Sequence, residues 1–227
     1  IHRLELTTRI RSLLRIADYR ADLEQTENVI CALALAIEAK DEYTRGHSQR
    51  VADLGYRFSL HLGFSDREAE RIRTAGLLHD IGKIAVPESL LNKPGPLTQD
   101  EFMRVIDHPV IGEEICRPLS TLGTVLRLIR HHHERFDGRG YPDGLKGAEI
   151  PKEIRVISVV DAYDALTSHR AYRSAPLTHE AAIETLRREA SAGKWDDHVV
   201  EALSQMLGDS PPDFSESSIP LPRLQLQ

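Results

Sequence analysis

Apolar positions recur along most of this chain at intervals of three and four residues, the spacing of one face of an α-helix. From Ile1 to about Gln25 the stripe is narrow, with Leu4, Ile10, Leu13, Leu14, Ile16 and Leu23 among arginines and acids. Residues 1–25 therefore read as a linker or coiled-coil helix from an upstream domain, or alternatively as a first helix of the domain itself. Thr26 to Lys40 is apolar over most of its circumference, through Val29, Ile30, Leu33, Leu35, Ala36 and Ile37, which predicts a core helix. After a break over Asp41–Gly46, a helix runs from about His47 to Leu62 and Gly63 stops it. Ser65 caps the next helix, with Glu68 completing a capping box; this helix carries Ile72, Ala75, Leu77 and Leu78 and delivers His79 and Asp80. Ile84–Pro96, rich in Pro, Gly and Asn, predicts an irregular loop. Thr98 and Glu101 box a helix that runs toward His108, followed by short helices over Val110–Cys116 and Leu122–His132. Glu134–Pro151 is punctuated by glycines and prolines, and a structureless loop of that length inside a compact domain is usually functional. Further helices are predicted over Pro151–Ser168, from Thr178 to Ser191, and over Asp196–Leu207. Nothing alternates at period two, so the predicted fold is all-α: a helical domain over 26–208, preceded by the linker helix. The Pro- and Ser-rich tail 209–227 is expected to be poorly ordered.

Composition narrows the class. A hydrophobic fraction of 41% supports a real core, while no apolar run approaches the ~20 residues of a membrane span. The chain opens on Ile1 with no signal-peptide pattern, as a fragment of a longer protein would. Cys31 and Cys116 lie in apolar helical contexts and read as buried thiols, which fits a reducing, cytoplasmic setting rather than a disulfide scaffold or zinc ribbon. A net charge of −6 argues against a nucleic-acid polymer or an acidic membrane as partner, so an anionic ligand must be held by local cations or metal.

The chemistry centres on Leu77-Leu78-His79-Asp80-Ile81-Gly82-Lys83. Imidazole and carboxylate are ligands for divalent metals, and the lysine suits a phosphate. Five histidines lie at predicted helix ends or loop junctions: His47, His79, His108, His132 and His133. With Asp80 and Asp161 they make seven nitrogen and oxygen ligands without cysteine. Such a set suits two six-coordinate divalent ions, iron or manganese ahead of zinc, with nickel and magnesium as further candidates. Two metals can clamp an in-line phosphoryl displacement, with Asp80 as the bridge and a bridging water as nucleophile. Successive helical residues diverge by ~100°, so His132 and His133 can share a site only near a helix end. His131 reads as a solvent-facing neighbour, and His2, His61, His169, His179 and His198 as surface or capping residues. Glu134 is either a ligand or, preferably, a carboxylate behind the ligands that orients a histidine.

His79-Asp80-Ile81-Gly82-Lys83, His132-His133-Glu134 and Gly140-Tyr141-Pro142 together resemble the HD-GYP branch of the HD phosphohydrolase superfamily. Ala39-Lys40-Asp41-Glu42-Tyr43-Thr44-Arg45-Gly46-His47-Ser48 and Val160-Asp161-Ala162-Tyr163-Asp164-Ala165-Leu166-Thr167-Ser168 extend the resemblance over about Asn28 to Leu207. It implies an all-α HD-type bundle with a two- or three-metal centre. It also implies hydrolysis of cyclic di-GMP to pGpG, in some members on to GMP, through a metal-bridging hydroxide. Such a domain is the output of a bacterial signalling protein, for example a two-component response regulator. Carried over by position, the metal ligands are His47, His79, Asp80, His108, His132, His133 and Asp161, with Asp80 and Lys83 catalytic. Lys83 would hold the scissile phosphate, Tyr141 would stack on a guanine and Gly140 would let the backbone approach. Arg170 and Arg173 would contact phosphates and Asp164 a base. Three-metal members carry a glutamate four residues before the first histidine; here Tyr43 stands there and Glu42 is five before, which implies two metals and pGpG as product. Implied partners are cyclic di-GMP, an upstream sensor or receiver domain, diguanylate-cyclase-type domains, and a second copy joined through the N-terminal helix. Two rivals stand beside the enzyme: a non-catalytic module that binds the dinucleotide or a partner, and an HD hydrolase for another cyclic nucleotide such as cyclic GMP-AMP. The complete ligand set and the Gly-Tyr-Pro loop favour the enzyme.

Overall fold

Helix boundaries in the computed structural model follow local capping chemistry, and the structure describes residues 15, 29–38, 46–119, 122–169, 175–208 and 210–212. A helix over 29–38 (α1) is followed by α2 (His47–His61) and α3 (Asp66–Leu78). Gly63, at φ 82, turns the chain between α2 and α3, and Ser65 and Glu68 satisfy each other's backbone N–H at the start of α3. A 3₁₀ turn (Ile81–Ala85) and the one-turn α4 (Glu88–Leu91) come next, so the segment expected as an irregular loop is partly helical. Thr98 and Glu101 form the expected box at α5 (Gln99–Val105). Helix α6 spans His108–Cys116 and so begins two residues earlier than expected, because Pro109 falls in its first turn, where the missing N–H has no helical partner to lose. α7 (Gly123–His131), α8 (Lys152–Thr167), α9 (His179–Ser191) and α10 (Asp197–Leu207) complete the order, with one 3₁₀ turn (Gly147–Glu149) inside the long loop. Among the described residues there is no strand, only an isolated bridge between Asp137 and Lys146. The all-α expectation holds.

One apolar cluster reaches from Cys31 to Leu203. Its centre lies where α2, α3, α7 and α8 meet, around Phe58, Ile72, Leu77, Ile129, Ile157 and Tyr163. Two glycines set the spacing. A Cβ on Gly76 would lie 2.6 Å from the Ala52 Cα, so α3 and α2 cross backbone to backbone. A Cβ on Gly82 would lie 1.9 Å from the His108 carbonyl oxygen. The glycine of the His-Asp stretch is therefore needed to seat the 3₁₀ turn on the start of α6, which brings Asp80 to His108.

The core helix expected at 26–40 joins the core along one face of its described part, 29–38. α1 buries Cys31 and Ala34, whereas Val29 and Leu33 are each 53% exposed. One face, through Ile30, Cys31, Ala34 and Ile37, meets the bundle; an apolar circumference does not supply neighbours on every side. The linker helix, apart from Arg15, and the tail beyond residue 212 lie outside the described residues. No helix among the described residues is long and apolar enough to cross a membrane.

Gly76→Ala is expected to cost about 1–3 kcal/mol through overpacking. Gly123→Ala, where a Cβ meets nothing within 4 Å, is expected to be neutral or stabilising by up to ~1 kcal/mol. Urea unfolding of the two variants reads the difference.

Candidate metal centre

The centre is assembled from helix ends. His79 follows α3 and its Nδ1 donates to the Gly76 carbonyl at 2.8 Å. His132 follows α7 and its Nδ1 donates to the Ile129 carbonyl at 2.7 Å. His108 opens α6, with Nδ1 donating to the Val105 carbonyl of α5 at 2.8 Å. In each case the ring takes up a last-turn carbonyl that has no helical partner. A carbonyl can only accept, so the proton sits on Nδ1 and Nε2 is left as a lone pair aimed inward. His47, the first residue of α2, uses a carboxylate in the same way: its Nδ1 donates to Asp164 at 2.7 Å.

These lone pairs converge on each other and on two carboxylates. The Nε2 atoms of His108 and His132 stand 3.3 Å apart. Asp80 lies 3.2 Å from His108 Nε2 and 3.4 Å from His79 Nε2, and Asp161 lies 3.1 Å from His47 Nε2. His79 Nε2 is buried with no hydrogen-bond partner. Lone pairs facing lone pairs and carboxylates in a buried site are unfavourable unless a cation lies between them. Ligand atoms of Asp80, His108, His132 and His133 form one group within 4.8 Å, and those of His47, His79 and Asp80 form a second. Asp80 belongs to both. Burial, helped by the neighbouring rings, lowers His133 to about 3 and puts His132 well below its ordinary value, so both are neutral as ligation requires. Burial opposes ionisation of Asp80, but Lys83 and the surrounding rings hold it well below the usual carboxylate range. Burial likewise opposes charge on His47, yet Asp161 and Asp164 raise it to about 9, the mark of a position between rings and carboxylates that calls for positive charge. The donor set fits divalent metal, and all seven expected ligands are brought to one place.

The loop after α7 closes over this centre. Tyr141 packs on His133 with ring centroids 4.8 Å apart and planes at 37°. Buried Glu134 accepts from the backbone N–H of Asp143, Gly144 and Leu145 at 2.8, 3.1 and 3.0 Å. Asp143 receives two hydrogen bonds from Arg130, each 2.8 Å, and one from His131 at 2.8 Å.

The HD domain family model matches residues 32–199 of the chain. The chain belongs to the HD domain family. Its His79-Asp80 and Gly140-Tyr141-Pro142 motifs are those that resemble the HD-GYP branch. Among curated relatives, the cyclic di-GMP phosphodiesterase response regulator RpfG of Xanthomonas campestris pv. campestris is 40% identical over 185 residues, 79% of this chain and 48% of that protein. The 3'3'-cGAMP-specific phosphodiesterase 3 of Vibrio cholerae is 41% identical over 149 residues, 66% of this chain and 32% of that protein. The fold matches a crystal structure of the cyclic GMP-AMP-specific phosphodiesterase V-cGAP3 of V. cholerae with a TM-score of 0.63 at 18% identity, covering 81% of this chain and 49% of that one. The chain spans less than half the length of the curated relatives named here.

Within this HD domain several residues differ from their sequence reading. Asp164, expected at a base, is buried behind His47 and takes further hydrogen bonds from Arg50 at 2.6 and 3.0 Å. It fixes the tautomer and direction of a ligand, the role expected of Glu134. Glu134 instead holds loop backbone and touches no histidine in this way. His131 is buried and pinned between the Arg127 carbonyl and Asp143, not solvent-facing. His179 is also buried, accepting from the Tyr163 hydroxyl at 2.7 Å and donating to the Gly208 carbonyl at 3.0 Å. Gly140 is required by the loop itself, because a Cβ there would lie 2.3 Å from the Arg135 nitrogen. Lys83 stands beside the centre, its Nζ donating to Asp80 at 2.7 Å. Arg170, Arg173 and Tyr43 lie outside the described residues. Arg50, which carries Asp164, was missed altogether, although its position three residues after His47 puts it on the same helical face.

Glu134→Gln removes a charged acceptor of three backbone hydrogen bonds. It is expected to cost about 1.5–3 kcal/mol and to speed amide exchange at Asp143, Gly144 and Leu145, read by hydrogen–deuterium exchange.

Proposed function

We propose that this HD domain is a metal-dependent phosphodiesterase that hydrolyses cyclic di-GMP to pGpG. The observation that carries the reading is Asp80, shared between two groups of buried imidazoles at a centre lined by Lys83 and covered by Tyr141. Two divalent ions, iron or manganese, would be held by His47, His79, Asp80, His108, His132, His133 and Asp161. When bound, they would polarise a phosphoryl group and acidify a water. Lys83 balances the charge of Asp80 and offers a cation to the phosphate; burial keeps protons off His132 and His133; Asp164 keeps His47 aimed. Tyr141, and Arg170 and Arg173 beyond the described residues, would hold the base and phosphates. The name of RpfG as a response regulator supports placing the domain, over 26–208, downstream of a receiver or sensor domain in the cytoplasm. Pairing through the 1–25 helix and with diguanylate-cyclase-type domains extends the same reading.

A second substrate has support of its own, because relatives of similar identity are named as 3'3'-cGAMP-specific phosphodiesterases. Manganese- or iron-loaded protein incubated with each cyclic dinucleotide, with products separated chromatographically, decides between them. The expected result is pGpG from cyclic di-GMP. Linearisation of cyclic GMP-AMP alone transfers the reading to that substrate, and saturable binding without turnover contradicts the enzyme. Asp164→Asn is expected to lose about 10–100-fold in metal affinity or turnover, and Asp80→Ala more.

A further inference from the structure

Helix α5 buries none of its own side chains, yet it holds Phe102 at 46% and Met103 at 52% exposure. Large apolar side chains kept in water on such an element are stabilised when a ligand covers them. Two contacts place Phe102 at the rim of the metal centre. Three residues further along the same helix, the Val105 carbonyl orients His108. The Phe102 ring itself lies 6.2 Å from the Tyr141 ring, centroid to centroid, with the planes at 87°. Tyr141 leans on His133, so part of its own π-face is already taken. The helix is also pinned: its capping box is complete, and Glu101 pairs with Lys93 at 2.5 Å. An exposed aromatic ring is thus held on an anchored element, perpendicular to Tyr141, beside the place where phosphate would bind.

We propose that Phe102 is the stacking platform for a purine base of the bound nucleotide, with Tyr141 forming the perpendicular wall of the same subsite. This deepens the cyclic-dinucleotide reading and rests on it: the metal side takes phosphate, and α5 takes a base. A flat bicyclic ring fills the corner between two perpendicular aromatic rings and covers apolar surface that the fold leaves open. A phenyl face carries no hydrogen-bonding pattern, so Phe102 adds affinity for a base without choosing between guanine and adenine.

Calorimetry of metal-replete protein with guanosine 5'-monophosphate and with ribose 5-phosphate, which lacks the base, separates base binding from phosphate binding. Wild-type protein is expected to bind the nucleotide more tightly. Phe102→Ala is expected to weaken the nucleotide roughly ten- to a hundred-fold while leaving ribose 5-phosphate unchanged, and Phe102→Trp to restore nucleotide binding. Unchanged nucleotide affinity in Phe102→Ala overturns the proposal, as does an equal loss for both ligands. Wild-type protein that does not distinguish the two ligands contradicts base recognition altogether, and the dinucleotide reading with it.

Discussion

Four buried imidazoles whose outward nitrogens are tied to carbonyls or a carboxylate turn their inner nitrogens toward one another and toward two acids. That arrangement is tolerable only around positive charge, and the rest of the fold is arranged to make it unavoidable. His79 and His132 sit where α3 and α7 end, and His108 and His47 where α6 and α2 begin. The tautomer of each ring is imposed by an acceptor behind it, so the rings cannot rotate away without stranding a buried donor. Gly76 and Gly82 bring the helices close enough for these ends to meet. Core packing and metal chemistry are one constraint here, since α2, α3, α7 and α8 supply both the apolar centre and the ligands or their supports.

Around the centre, the charged residues divide into those that aim ligands and those that hold the cover. Asp164, carried by Arg50, aims His47. Glu134 and Asp143 fix the loop whose Tyr141 rests on His133, and Arg130 ties that loop to α6 through Glu113 at 2.9 Å. The Gly-Tyr-Pro loop is therefore anchored from beneath at several points before any ligand arrives, which favours a preorganised binding surface. Helix α5 presents large apolar surface beside Tyr141, which is why the base is assigned to it.

What the chain reveals unaided depends on how local each cause is. The boxes at Ser65 and Thr98 are four-residue signals, and both appear in the structure as read. The clustering of these side chains is legible because a histidine at a helix end, repeated five times with two acids, has few other uses. Asp164 is harder: three residues after Asp161, it shares that residue's helical face, and only the position of His47 shows which way its oxygens are turned. His131 stands in a run of three histidines, and the partner that buries it, Asp143, is twelve residues away in a loop with no regular period. The exposure of α1 was not legible either, because an apolar pattern records what a side chain prefers and not which neighbours surround it.

X-ray absorption spectroscopy at the metal edge of the manganese- or iron-loaded protein tests the central claim most directly. The account predicts a first shell of nitrogen and oxygen at about 2.0–2.2 Å with the outer-shell scattering of several imidazoles, lost from wild-type spectra when Asp80 and His79 are replaced. Metal that binds without imidazole scattering, or protein that takes up none, would contradict it.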